Sequence, residues 1–187
     1  LQLTGTSSVI LGANAKTAGI ATVIGGSGVT TLTDLVATGP LTLAVDLTTA
    51  HGTGFVSGVS DVPFTITADA LTTSINLAAN TAGAQAIVAP SVAATLAIQE
   101  PPTGTGTVTL TGGFASSTIT VGGTTPSTSV HTFNASAVLS KVNYTSGAGA
   151  QTITTGGAAD TISGGTGKDV ITGGAGNDTF KFVTGDT

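Results

Sequence analysis

An all-β fold closing in a C-terminal parallel β-roll is what this chain of 187 residues predicts, on three observations. Its residues are dominated by Thr, Ala, Val and Ser, with 28 Gly, the mix of β-branched side chains and turn formers that favours short strands over helices. Short stretches alternate apolar and polar residues with the period of a half-buried strand. Toward the C-terminal end the sequence repeats every nine residues, as in "GGTGKDVIT" followed by "GGAGNDTFK". At 40% hydrophobic and 7% charged residues the chain is the reverse of a disordered composition.

Taken in order, "VTTLTDLV" (29–36), "LTLAVDL" (41–47) and "PFTIT" (63–67) are predicted strands. "SVAATLAIQ" (91–99) is the nearest approach to a helix. "EPPTGTG" (100–106) pairs Pro101 and Pro102 with alternating Gly, which disfavours helix and central strand alike and predicts a linker. Strands at 107–111 and 117–121, with Gly between them, read as a hairpin, followed by a loop at 122–129. The expected organisation is a β-rich module over 1–99, built as a sandwich or solenoid, the linker at 100–106, a strand and hairpin region over 107–145, and the roll over 146–187. Met is absent even at position 1, so the chain is treated as an excerpt whose roll is expected to continue.

The repeat sets residues to fixed slots: Gly-Gly-x-Gly-x-Asp-x-apolar-x. The apolar eighth slots are Ile153, Ile162, Ile171 and Phe180, and Tyr144 falls nine before the first. The sixth slots are Gln151, Asp160, Asp169 and Asp178, so the first unit lacks the carboxylate. Gly164, Gly165 and Gly167, then Gly173, Gly174 and Gly176, fill every glycine slot of the last two units, whereas 155–163 keeps Gly156 and has Ala158 in the fourth slot. A looser match, "GGSGVTTLT" (25–33), has Thr30 where Asp belongs and Leu32 in the apolar slot.

Glycine allows the turn, and x-apolar-x makes a three-residue strand with its middle side chain inward. If two units make one coil, unit n stacks on unit n+2 at about 4.8 Å. Stacked carboxylates ~5 Å apart repel by roughly 3 kcal/mol at an effective dielectric of 20. Calcium, bound by oxygen at about 2.3–2.6 Å, can sit between them with turn carbonyls completing its shell, whereas magnesium demands tighter octahedral geometry. The phasing places Asp160 and Asp178 on one edge and Gln151 and Asp169 on the other, with the first edge the better site. Asp186 falls one residue short of the next slot and reads as the end of the roll. Asp61 and Asp69 are candidates for a further site.

These units resemble the calcium-binding nonapeptides of the RTX family of secreted bacterial proteins. The resemblance implies a parallel β-roll with Ca2+ between coils, type I secretion and folding outside the cell. It does not choose among toxins, proteases, lipases, adhesins and surface-layer proteins.

The chain carries no His-Glu-x-x-His helix, Gly-x-Ser-x-Gly elbow or phosphate loop. Its two His, His51 and His131, lie eighty residues apart. Four Lys, no Arg and a net charge of −5 argue against nucleic-acid binding. No apolar run approaches the ~20 residues of a membrane helix, and with no Cys there is no disulfide or thiolate chemistry. The expectation is a non-enzymatic, secreted structural protein of the bacterial surface, assembling with its own copies in a lattice or filament. A cell-surface polysaccharide is a further candidate partner. The alternatives are an adhesin for a host or carbohydrate ligand and the non-catalytic tail of a secreted hydrolase.

Overall fold

The computed structural model describes residues 1–11, 20, 22–34, 43–47, 54–60, 64–67, 72–77, 84–89, 95–99, 107–112, 118–122 and 132–186. Seventeen strands and no helix occur among them. One sheet holds β1 (Ser7–Leu11), β3 (Val29–Asp34), β5 (Gly54–Ser60), β7 (Ser74–Asn76), β9 (Thr95–Gln99), β11 (Thr118–Gly122), β13 (Lys141–Thr145), β15 (Thr161–Ser163) and β17 (Thr179–Lys181), in that order. The other holds β2 (Thr22–Ile24), β4 (Leu43–Asp46), β6 (Phe64–Thr67), β8 (Ala84–Ala89), β10 (Thr107–Gly112), β12 (Thr132–Asn134), β14 (Thr152–Thr154) and β16 (Val170–Thr172). Each strand pairs in parallel with the strand two places on, so the chain winds as a two-sheet β-solenoid whose last coils are the roll the nonapeptides predict.

Alternation packs this solenoid. One inward row of the nine-stranded sheet is Phe55, Ile75, Ile98, Val121, Tyr144, Ile162 and Phe180, each paired with the next. All but Phe180 are 2% exposed or less. The opposite sheet contributes Val23, Val45, Ile66, Ile87 and Leu110, then Phe133, Ile153 and Ile171. Phe133 and Tyr144 meet across the interior with ring centroids 4.9 Å apart, within the range of favourable aromatic pairs. The predicted eighth-slot residues are therefore core residues in full coils. Phe180, on the edge strand of its sheet among the described residues, is 42% exposed.

Two expectations are corrected. The helix candidate at 91–99 contains β9, whose Leu96 and Ile98 are buried between Ile75 on one side and the Ile119 and Val121 strand on the other. Pairing along both strand edges outweighs the helical preference of Ala and Leu. The hairpin at 107–121 is absent: β10 and β11 lie in different sheets, and each pairs in parallel with strands a full coil away. Alternation alone is the same for a hairpin and for one coil of a solenoid. Residues 100–106 lie outside the described ones; strands on either side pair with each other, β8 with β10 and β9 with β11.

Candidate metal centre

The turns that join the last strands carry the sixth slots. Residues 155–160 and 173–178 turn on one edge, and 146–151 and 164–169 on the other, because each coil takes 18 residues. Asp160 and Asp178 are thus stacked on one edge and Gln151 and Asp169 on the other. The backbone N–H of Asp160 donates to Oδ1 of Asp178 at 3.0 Å, and that of Gln151 donates to Oδ1 of Asp169 at 2.8 Å. Val142 N–H donates likewise to Oδ1 of Asp160 at 2.8 Å.

Glycine makes this stacking possible. Gly165 and Gly174 take φ values of 87° and 81°, which side-chain-bearing residues rarely adopt. A Cβ on Gly165 would overlap the carbonyl of Gly147, and one on Gly174 the carbonyl of Gly156. Those carbonyls accept hydrogen bonds from Thr166 and Ala175, at 3.0 and 2.8 Å, which lock each coil to the preceding one. Gly167 and Gly176 have φ of 134° and 122°, and a Cβ on either would crowd the Gly149 or Ala158 carbonyl of the preceding coil, at 2.5 and 2.3 Å. Gly164 and Gly173 serve otherwise: a Cβ on either would fall on Oδ2 of its own unit's aspartate, Asp169 or Asp178. Gly156 has no left-handed φ, but a Cβ there would overlap the Val138 carbonyl.

The second carboxylate oxygen is what the turns leave over. Oδ2 of Asp160 and Oδ2 of Asp169 are buried without a hydrogen-bond partner, and Asp160 is 1% exposed. An unpartnered buried anion is costly, so such an oxygen fits a cation. Because each Oδ1 is taken by a backbone amide, one carboxylate oxygen per turn is available. No three His, Asp or Glu side chains converge among the described residues, so further oxygens have to come from turn carbonyls, a donor set that suits calcium. These residues fit Ca2+: Asp160 and Asp178 would hold it on one edge and Asp169 on the other, supplying charge and hard oxygen, and an ion on the first edge would neutralise the repulsion between its two stacked carboxylates.

Burial raises the pKa of Asp169 above its ordinary value; the Gln151 N–H opposes this, and the charge of Asp186 adds to it. Asp186 thus bears on the Gln151 and Asp169 edge. Its backbone bridges to Gly167, a proximity that its position one residue short of the slot concealed. Gln151 is fully buried.

Sequence reasoning missed Thr155. It fills the first slot, occupied by Gly in the next two units, is 1% exposed, and donates its hydroxyl to the Gly173 carbonyl at 2.9 Å. Its only signal was that departure from glycine. Lys168 and Lys181 are exposed. Asp61, Asp69, His51 and His131 lie outside the described residues.

Residues 145–180 match the family model of the RTX calcium-binding nonapeptide repeat, in four copies. No curated protein and no solved structure matches the chain. The repeats of this family are calcium-binding, and the carboxylates and glycines just described lie inside the matched span.

Proposed function

Starting from four RTX calcium-binding repeats that share their sheets with every described upstream strand, we propose that the protein is an extracellular structural element of the bacterial surface. Calcium orders its last coils, and the completed rod assembles with further copies of itself in a lattice or filament. The RTX portion is a calcium-binding, non-catalytic module, and its family is typical of secreted proteins, which supports the location and export by a type I route.

One observation carries the reading. The inward row Leu96, Ile119 and Val142 runs on, at 18-residue spacing, into Asp160 and Asp178. The calcium turns are therefore the continuation of the hydrophobic stack. Ordering them lengthens one rigid body, as suits a load-bearing or lattice-forming element. Exposed apolar side chains at the last coil, Val170, Phe180, Phe182 and Val183, offer surface for contact with a copy.

Calcium titration of the chain, followed by circular dichroism and light scattering, tests this. Growth into large particles that dissolve in chelator is the expected result. A persistent monomer that gains β structure would overturn self-assembly and favour an adhesin or an enzyme tail.

A further inference from the structure

The turns at 146–151, 155–160, 164–169 and 173–178 have the same length, yet the two edges of the roll are not tied alike. On the edge of Gln151 and Asp169 the third slots, Ala148 and Thr166, form a parallel bridge. Thr166 N–H donates to the Gly147 carbonyl at 3.0 Å, and Gly149 N–H donates to the Thr166 carbonyl at 2.8 Å. On the edge of Asp160 and Asp178 one half of that pair is made: Ala175 N–H donates to the Gly156 carbonyl at 2.8 Å. Among the described residues no bond returns from Ala158 N–H to Ala175. The fourth slot accounts for the loss. Gly149, Gly167 and Gly176 hold it with φ of 118°, 134° and 122°, backbone that side-chain-bearing residues rarely adopt, and this unit has Ala158 there.

Thr155 supplies another tie on that same edge. Its N–H donates to the Thr172 carbonyl at 2.9 Å, and its hydroxyl donates to the Gly173 carbonyl at 2.9 Å, on a side chain 1% exposed. Gly173 is the residue against which the Asp178 carboxylate lies, since a Cβ there would fall on Asp178 Oδ2. Oδ1 of that carboxylate accepts from Asp160 N–H, at the far end of the Thr155 turn. One turn therefore holds the next at both ends: its first residue fixes the peptide beside Oδ2, and its sixth fixes Oδ1. Neither bond needs a metal, and the buried Oδ2 of Asp160 is left without a partner. Donors already held in place bind an ion more tightly, because their ordering is not charged to binding.

We propose that Thr155 is a positioning residue for calcium. Its hydroxyl replaces the missing bridge, sets Gly173, and so sets the Asp178 carboxylate for the ion. The inference rests on the calcium reading of these turns. It makes the two departures of this unit from the repeat, Thr155 and Ala158, a matched pair: one removes a tie between coils and the other restores it.

Calcium titration calorimetry on the full chain tests this, in an Asp169→Asn background that removes the carboxylate of the other edge and leaves the Asp160 and Asp178 site to be read. Thr155→Val keeps the shape without the hydroxyl and is expected to weaken calcium affinity by about three- to tenfold, the worth of one hydrogen bond. A hydroxyl that serves only the fold lowers stability in chelator, which urea unfolding reads, but leaves the affinity of the folded chain as it was. Equal affinities would thus overturn the inference. Tighter binding by the variant would overturn it too, by showing that the hydroxyl competes with the ion for the Gly173 carbonyl. If Thr155→Val does not fold, Thr155→Gly, the residue the repeat itself carries, takes the same titration; the same weakening is expected, and the affinity of the Thr155 chain there would overturn the inference. Adding Ala158→Gly to Thr155→Val is expected to recover affinity, and no recovery would refute the pairing of the two positions. An unmodified chain that binds no calcium fails the calcium reading itself and the inference with it, whereas binding that is indifferent to the hydroxyl sinks the inference alone.

Discussion

Replacing Asp160 with Asn separates a metal ligand from a turn residue. Asn keeps an oxygen to accept from Val142 N–H, a bond of 2.8 Å in the parent, and removes the charge. Asp160 is 1% exposed and its amide donates to Asp178, so the two carboxylates stand one strand spacing apart. At ~5 Å and an effective dielectric of 20 their repulsion is roughly 3 kcal/mol. Partial exposure of Asp178 lowers this to about 1–2 kcal/mol through solvent screening. In chelator Asp160→Asn is therefore expected to be more stable than the parent by about that amount. With calcium at about a hundred times its dissociation constant, binding adds about 2.7 kcal/mol per site. The variant forgoes much of that and becomes the less stable of the two. Urea unfolding in calcium and in chelator reads both differences, and the expected result is a reversal of sign. Equal destabilisation in both buffers would show that Asp160 works only through its backbone hydrogen bond and would refute the metal argument.

Gly165→Ala places a methyl group on the Gly147 carbonyl at a φ of 87°, and thermal unfolding is expected to show a loss of about 2 kcal/mol or more. Ile162→Ala, in a fully buried position, is expected to cost about 2–5 kcal/mol by urea unfolding, and Phe180→Ala a small part of that because its ring already meets solvent. The raised pKa of Asp169 means that the folded, metal-free chain holds its proton more readily than the unfolded one. Its contribution in chelator is therefore unfavourable at neutral pH. It is relieved as pH falls through the raised value, and is constant below the ordinary 3.8. In calcium the proton competes with the ion and the trend reverses. Comparing the parent with Asp169→Asn across that range in both buffers isolates the effect.

The C-terminal coils were legible because their spacing is fixed. Tyr144 to Ile162 to Phe180, and Ile153 to Ile171, are steps of 18 residues, so a reader who counts finds the coil, its inward residues and the edge on which each carboxylate lies. Upstream the same row steps by 20 residues from Phe55 to Ile75 and by 23 from Ile75 to Ile98. With the turns free to vary in length, no fixed period marks the stack, and strands adjacent in sequence pass for partners. The 107–121 hairpin was misread for that reason. The site was legible in its acidic slots and glycines. The hydrogen bond of Thr155, the approach of Asp186 and the use of each Oδ1 by a backbone amide depend on packing between coils and left no mark in the spacing.

The inward row that is apolar through Leu96, Ile119 and Val142 and acidic from Asp160 onward makes the two ends answer differently to temperature and to salt. Apolar burial weakens on cooling, while bridged carboxylates respond to the ions around them and to ionic strength. In cold, calcium-rich water the ionic coils hold while the oily ones slacken, and in warm, calcium-poor water the order inverts. Val142 marks the crossover, so the position of a single change of side-chain character along the row decides how much of the rod follows the chemistry of its surroundings.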